Sequence, residues 1–129
     1  MKLADFLSAP LPEWDFRHHD CCRWVARWIV ARDHACPIES LGLRYSTERG
    51  ALLTIKRGGG LTALWGRGMT AVGVPEAAEP QPGDVAVIHR PTSCGLDEAM
   101  AIRVGERWAS LALRGLEIGP AEPLKVWRP

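Results

Sequence analysis

The chain has 129 residues, 47% of them hydrophobic and 24% charged, which suits one packed core and argues against global disorder. Sixteen Lys and Arg against fifteen Asp and Glu leave a formal charge of +1, so no whole-chain field gathers nucleic acid or an anionic bilayer. No stretch approaches the roughly 18 apolar residues of a membrane span, and the opening "MKLADFLSAPLPEW" lacks the apolar run and cleavage site of a leader.

Leu3, Phe6 and Leu7 have helical spacing, and Pro10 and Pro12 stop that opening helix. The next segment, "HHDCCRWVARWIV", is the most informative in the chain. At about 100° per residue, Cys21, Trp24, Val25, Trp28 and Ile29 share one helix face, with Arg23 and Arg27 on the other. Asp20 is a good N-cap for this helix, which should fade between Arg32 and His34. A further helix follows Ser46 or Thr47 as cap, with Ala51, Leu52 and Ile55 as its apolar stripe and Gly58 to Gly60 as its end. Leu61 to Val72 reads as another helix, weakened by Gly66 and Gly68. "KRGGGLTALWGRG" lacks the ending of a phosphate loop and follows no strand, so it reads as a helix connection.

After the proline-rich "PEAAEPQPG" the pattern changes to short extended pieces: "DVAVIH", "AMAIRV", "RWASLAL", "LEI" and "LKVW", with "RPTSCGLDE" as a polar turn. Helices over about 1–73 and a small antiparallel sheet over about 83–129 make one α+β domain spanning 1–129. Among the six tryptophans, Trp24 and Trp28 should face the core, while Trp127 could pin the last strand or dock a partner.

The cysteines Cys21, Cys22, Cys36 and Cys94 do not form a dense disulfide framework and are read as thiols. Cys21 is placed for chemistry, because the first turn of a helix favours a thiolate. The Cys21 backbone N–H at the helix start could serve as an oxyanion donor. Cys22 and Cys94 read as small thiols without chemistry. His18, His19, Cys21, Cys22, His34 and Cys36 lack the paired spacing of a zinc site, so neither metal nor cofactor is implied.

"RHHDCCRWVARWI", "GGGLTALW", "PGDVAVI", "AMAIRVGERWA" and "KVWRP" together resemble the small DUF6950-type phage proteins, which are related to the NlpC/P60 (papain-like) cysteine peptidases. The resemblance implies an NlpC/P60-like fold, with Cys21 as nucleophile and Asp20 as its helix cap. It also implies a histidine opening the strand that follows the strand begun by Gly83-Asp84, and that position falls on Ala99. A hairpin register pairing His89 with Ala99 would put both side chains on one face and let His89 supply the imidazole. His18 and His19 read as structural, although either could polarise the thiol from behind. The implied function is a phage tail component at the tail tip or hub, a structural or assembly module with a degenerate catalytic site. The alternative is an active peptidase cleaving amide bonds of peptidoglycan peptides through Cys21. The expected partners are other tail-tip or hub proteins and peptidoglycan, with no nucleic acid and no membrane span. The chain would be made in the bacterial host cytoplasm and end in the virion tail.

Overall fold

In a computed structural model, which describes residues 1–91 and 96–129, the chain is α+β: five helices precede a five-stranded antiparallel sheet. Helix α1 (Leu3–Ser8) packs Phe6 against Trp24 and Trp28, with ring centroids 5.6 and 5.3 Å apart. Helix α2 (Cys21–Ala31) begins at Asp20, whose carboxylate accepts from the Arg23 N–H, and buries Trp24, Val25, Trp28 and Ile29. A four-residue helix that the apolar pattern did not foretell, α3 (Pro37–Ser40), is started by a proline at its first position. Helix α4 (Glu48–Arg57) takes Thr47 as its cap, and α5 (Leu61–Val72) ends at Gly73 with φ +74°.

Gly68 weakens α5 as an isolated helix but has a packing role. A Cβ there would sit 3.1 Å from the Pro37 Cβ and 3.3 Å from a Leu41 methyl carbon, so the glycine lets α3 lie against α5. No helix among the described residues is long and apolar enough to cross a membrane.

The strands are β1 (Val85–His89), β2 (Glu98–Val104), β3 (Arg107–Ala112), β4 (Gly115–Gly119) and β5 (Glu122–Trp127), in the order β4-β3-β2-β1-β5. Alternation splits their side chains between two clusters. Val85, Val87, Met100, Ile102, Ala109, Leu111 and Trp127 meet the helices, whereas Ala86, Ile88, Ala99, Ala101, Trp108 and Val126 form a second cluster on the other face. Trp127 is fully buried and paired with Val85, so it pins the last strand.

The Gly83-Asp84 turn couples the helices to the sheet. Gly83 has φ +90°, a conformation that favours glycine, and its carbonyl accepts from Trp28 Nε1 at 2.8 Å. The buried Asp84 carboxylate accepts two bonds from Arg128, at 2.9 and 2.8 Å, and one from the Gln81 N–H at 2.8 Å. The turn therefore holds both the Cys21 helix and the C-terminal segment against β1.

The observed register differs by one residue from the one that would join His89 to Ala99. Ile88 pairs with Ala99, and His89 pairs with Glu98. The turn between these strands sets the register, and a single-residue slip reverses which face each side chain occupies. Cys94, assigned to that turn, lies outside the described residues.

Candidate functional site

The loop before α2 is held shut by local bonds. Asp15 N–H donates to the His19 carbonyl at 2.9 Å, and His19 N–H donates to the Asp15 carbonyl at 2.7 Å. His18 is exposed and pairs through Nδ1 with Asp15 Oδ2 at 2.7 Å. His19 is buried. Its Nδ1 lies 2.8 Å from Arg27 Nη1, and Arg27 also donates to the His18 carbonyl at 2.7 Å. Since guanidinium can only donate, Nδ1 accepts and the proton of the neutral ring sits on Nε2. Burial, then the Arg27 charge, holds the His19 pKa below its ordinary value. Its ring staples the loop to α2 and is not among the residues lining the cleft described below.

Asp20 caps the helix and also closes a second network. Its Oδ1 accepts from Arg23 N–H at 2.8 Å, and its Oδ2 accepts from the Tyr45 hydroxyl at 2.7 Å. The Arg23 guanidinium lies 4.4 Å from the Tyr45 ring centroid and donates to the Tyr45 and Phe16 carbonyls. Burial pushes the Asp20 carboxyl up, while the bonds from Arg23 and Tyr45 oppose it. Burial also pushes the Tyr45 hydroxyl up, so it remains a donor.

Cys21 and Cys22 act as a pair. The Cys22 thiol donates to Cys21 Sγ, and the backbone N–H groups of Met100 and Cys22 add to it, so the Cys21 pKa falls although burial and Asp20 oppose the fall. Cys22 is pushed well up because its proton is engaged by Cys21 and because it is desolvated, with Trp65 donating to it from α5. Cys21 is the acidic member of the pair. No imidazole enters this arrangement: a thiol, two backbone N–H groups and the start of a helix stabilise the thiolate.

Both cysteines line a cleft of about 360 Å³ whose walls are mostly apolar, with Leu52, Leu64 and Leu116 among them and Tyr45, Glu48, Arg90, Glu98 and Arg114 among its polar members. No histidine lines it among the described residues. His89 is exposed at the end of β1 and is not part of the lining. Ala99 borders the cleft, but it is only 2% exposed and packs with Ala86, Ile88 and Trp108 in the second cluster. By alternation Glu98 and Met100 occupy the helix-facing side of β2, and the Met100 N–H reaches Cys21. The ionisable β2 residue facing the cleft is thus Glu98, next to Ala99.

Sequence reasoning also missed Cys22, Tyr45 and Trp65. Their signals were an adjacent cysteine on the first helical turn, a tyrosine in an otherwise polar capping segment, and a tryptophan on a glycine-bearing helix. Cys36 is a further free thiol, and no group of three or more His, Cys, Asp or Glu among the described residues is arranged to hold a metal ion.

The family model for a domain of unknown function, DUF6950, matches residues 3–128. The chain belongs to this family. The match covers the Cys21 helix, the cleft and all five strands of this DUF6950 domain. No curated protein and no solved structure matches it.

Proposed function

We infer that this DUF6950 domain is an NlpC/P60-related, papain-like scaffold whose catalytic centre is degenerate, and that it serves as a structural or assembly module at the tip or hub of a phage tail. One observation carries the loss of catalysis: the cleft at Cys21 has no histidine among its described lining residues, and Glu98 stands on the strand face where the base would be needed. Amide hydrolysis by a thiolate requires a group that protonates the departing amine and then activates water. The described lining residues include no imidazole to do both.

The tail setting is supported by the resemblance of "RHHDCCRWVARWI", "PGDVAVI" and "AMAIRVGERWA" to phage proteins. In that setting the partners are neighbouring tail-tip or hub proteins. Particles assembled without the chain should lack complete tails by electron microscopy, whereas Cys21→Ala should leave tails intact. Complete, infectious particles without the chain would overturn the assembly role.

A second reading keeps Cys21 as the nucleophile of a peptidase acting on peptidoglycan peptides. The acidic Cys21 at the floor of an accessible cleft favours it. Amine release from purified muropeptides that disappears in Cys21→Ala would establish this reading; release no greater than that of the variant would remove it.

A further inference from the structure

A thiolate stabilised without an imidazole has a narrower chemistry than a peptidase, and the cleft specifies which part is left. We propose that Cys21 accepts an apolar acyl group from a thioester and holds it as a stable S-acyl adduct, with the acyl chain lying in the cleft between α4, α5 and β4. The inference does not depend on the tail assignment, and it concerns a reaction for which no proton donor is needed.

Attack on a thioester is balanced without a general acid. The Cys21 sulfur lone pair forms the new bond to the acyl carbon, and the electron pair of the old carbon–sulfur bond leaves with the donor thiol as a thiolate. Water protonates that thiolate, and nothing is oxidised or reduced. An amide differs because its nitrogen must be protonated as it leaves, which is the imidazole's work in cysteine peptidases. The same missing imidazole removes the base that would activate water for deacylation. The adduct therefore persists instead of turning over.

The geometry around the sulfur fits acyl capture. Cys21 opens α2 and lines the cleft, with Cys22 and Trp65 also in the lining and the Met100 N–H reaching it from β2. These interactions lower the Cys21 pKa, and the sulfur-bearing residue itself lines the cleft in which an acyl group would lie. Along it stand Leu52 and Ile55 from α4, Leu64 from α5 and Leu116 from β4, around a volume of about 360 Å³ that falls within the range of small-ligand pockets. The mostly apolar surface of these walls suits a hydrocarbon chain, with Glu48, Arg90, Arg114 and Glu117 among the charged members of the lining.

The test uses two probes, the octanoyl and acetyl thioesters of N-acetylcysteamine, with intact-protein and peptide mass spectrometry on the full chain. One octanoyl group should appear on Cys21, at least about tenfold faster than acetyl, since each buried methylene favours binding. It should remain through hours of incubation, and Leu52→Lys should slow octanoyl labelling by a larger factor than acetyl labelling. No labelling at Cys21, or equal rates for both probes and for Leu52→Lys, would overturn the proposal. Continuous release of free octanoate would overturn the stable adduct and favour the hydrolase reading. Failure of the tail-assembly experiment would leave these outcomes untouched.

Discussion

Moving one imidazole by one residue separates the two faces of β2. In Ala99→His the new ring replaces a methyl that is 2% exposed and packed with Ala86, Ile88 and Trp108. Overfilling such a cluster costs about 1–3 kcal/mol, and burying an imidazole without a partner costs about 1–3 kcal/mol more. The expected loss is thus about 2–6 kcal/mol, a large part of the 5–15 kcal/mol that typically holds a domain together. Glu98→His places the ring on the half-exposed, helix-facing side, where substitutions usually change stability by about 0.5 kcal/mol or less. Urea unfolding of both variants reads this difference directly. Hydrolysis of p-nitrophenyl acetate at neutral pH provides the functional readout: Glu98→His should raise steady-state turnover by about tenfold or more over wild type, in line with a general base beside a thiolate. Ala99→His should give no gain. Equal stabilities, or a gain of turnover confined to Ala99→His, would refute the face assignment and with it the role of Glu98 in the cleft.

Cys22→Ala removes the thiol that donates to Cys21, so the pH midpoint for alkylation of Cys21, followed by peptide mass spectrometry, should rise; an unchanged midpoint would mean that Cys22 is a bystander. The buried His19 has a folded-state pKa below its ordinary value of 6.5, so the unfolded chain takes up its proton first. Its contribution is present above about pH 6.5 and declines as pH falls from there toward the folded value, so the urea midpoint should drop between pH 7.5 and 5.5, and less so in His19→Asn. An identical pH response in wild type and variant would remove His19 as the cause. Trp28→Phe leaves the Gly83 carbonyl without its 2.8 Å donor and opens space beside it, with an expected loss of about 2–4 kcal/mol in urea unfolding; a loss below about 1 kcal/mol would mean that the Gly83-Asp84 turn does not anchor α2.

Local chemistry made much of the fold legible. Asp20 ahead of an amphipathic run marked the start of α2, the pattern over Leu61–Val72 matched α5, and short extended runs after the proline-rich segment marked the strands. The four-residue α3 escaped because one turn carries no periodicity. The β1–β2 register escaped for a different reason: "DVAVIH" and "EAMAIRV" fit either pairing almost equally well as apolar strands, and the connecting turn decides between them. Cys22 and Trp65 were hidden because a sulfur's hydrogen-bonding role depends on a neighbour more than forty positions away in the chain, brought close only when α5 packs beside α2.

The register also changes what Ala99 means for the proposed peptidase-like scaffold. If residue 99 faced Cys21, a single Ala99→His change would rebuild the catalytic pair, and the domain would be one substitution from hydrolysis. Because Ala99 lies in the second cluster, a histidine there meets Trp108 and Ile88 instead. The face that does reach Cys21 carries Glu98, a carboxyl group and not an imidazole. Meanwhile the acidity of Cys21 is supplied by Cys22, by the Met100 N–H and by the helix start, none of which depends on a base. Thiolate formation and proton transfer, which one imidazole performs together in a cysteine peptidase, are therefore separable in this domain. Only the first is built in, which is why reactivity toward thioesters, whose leaving groups need no proton, is expected to outlast activity toward peptides.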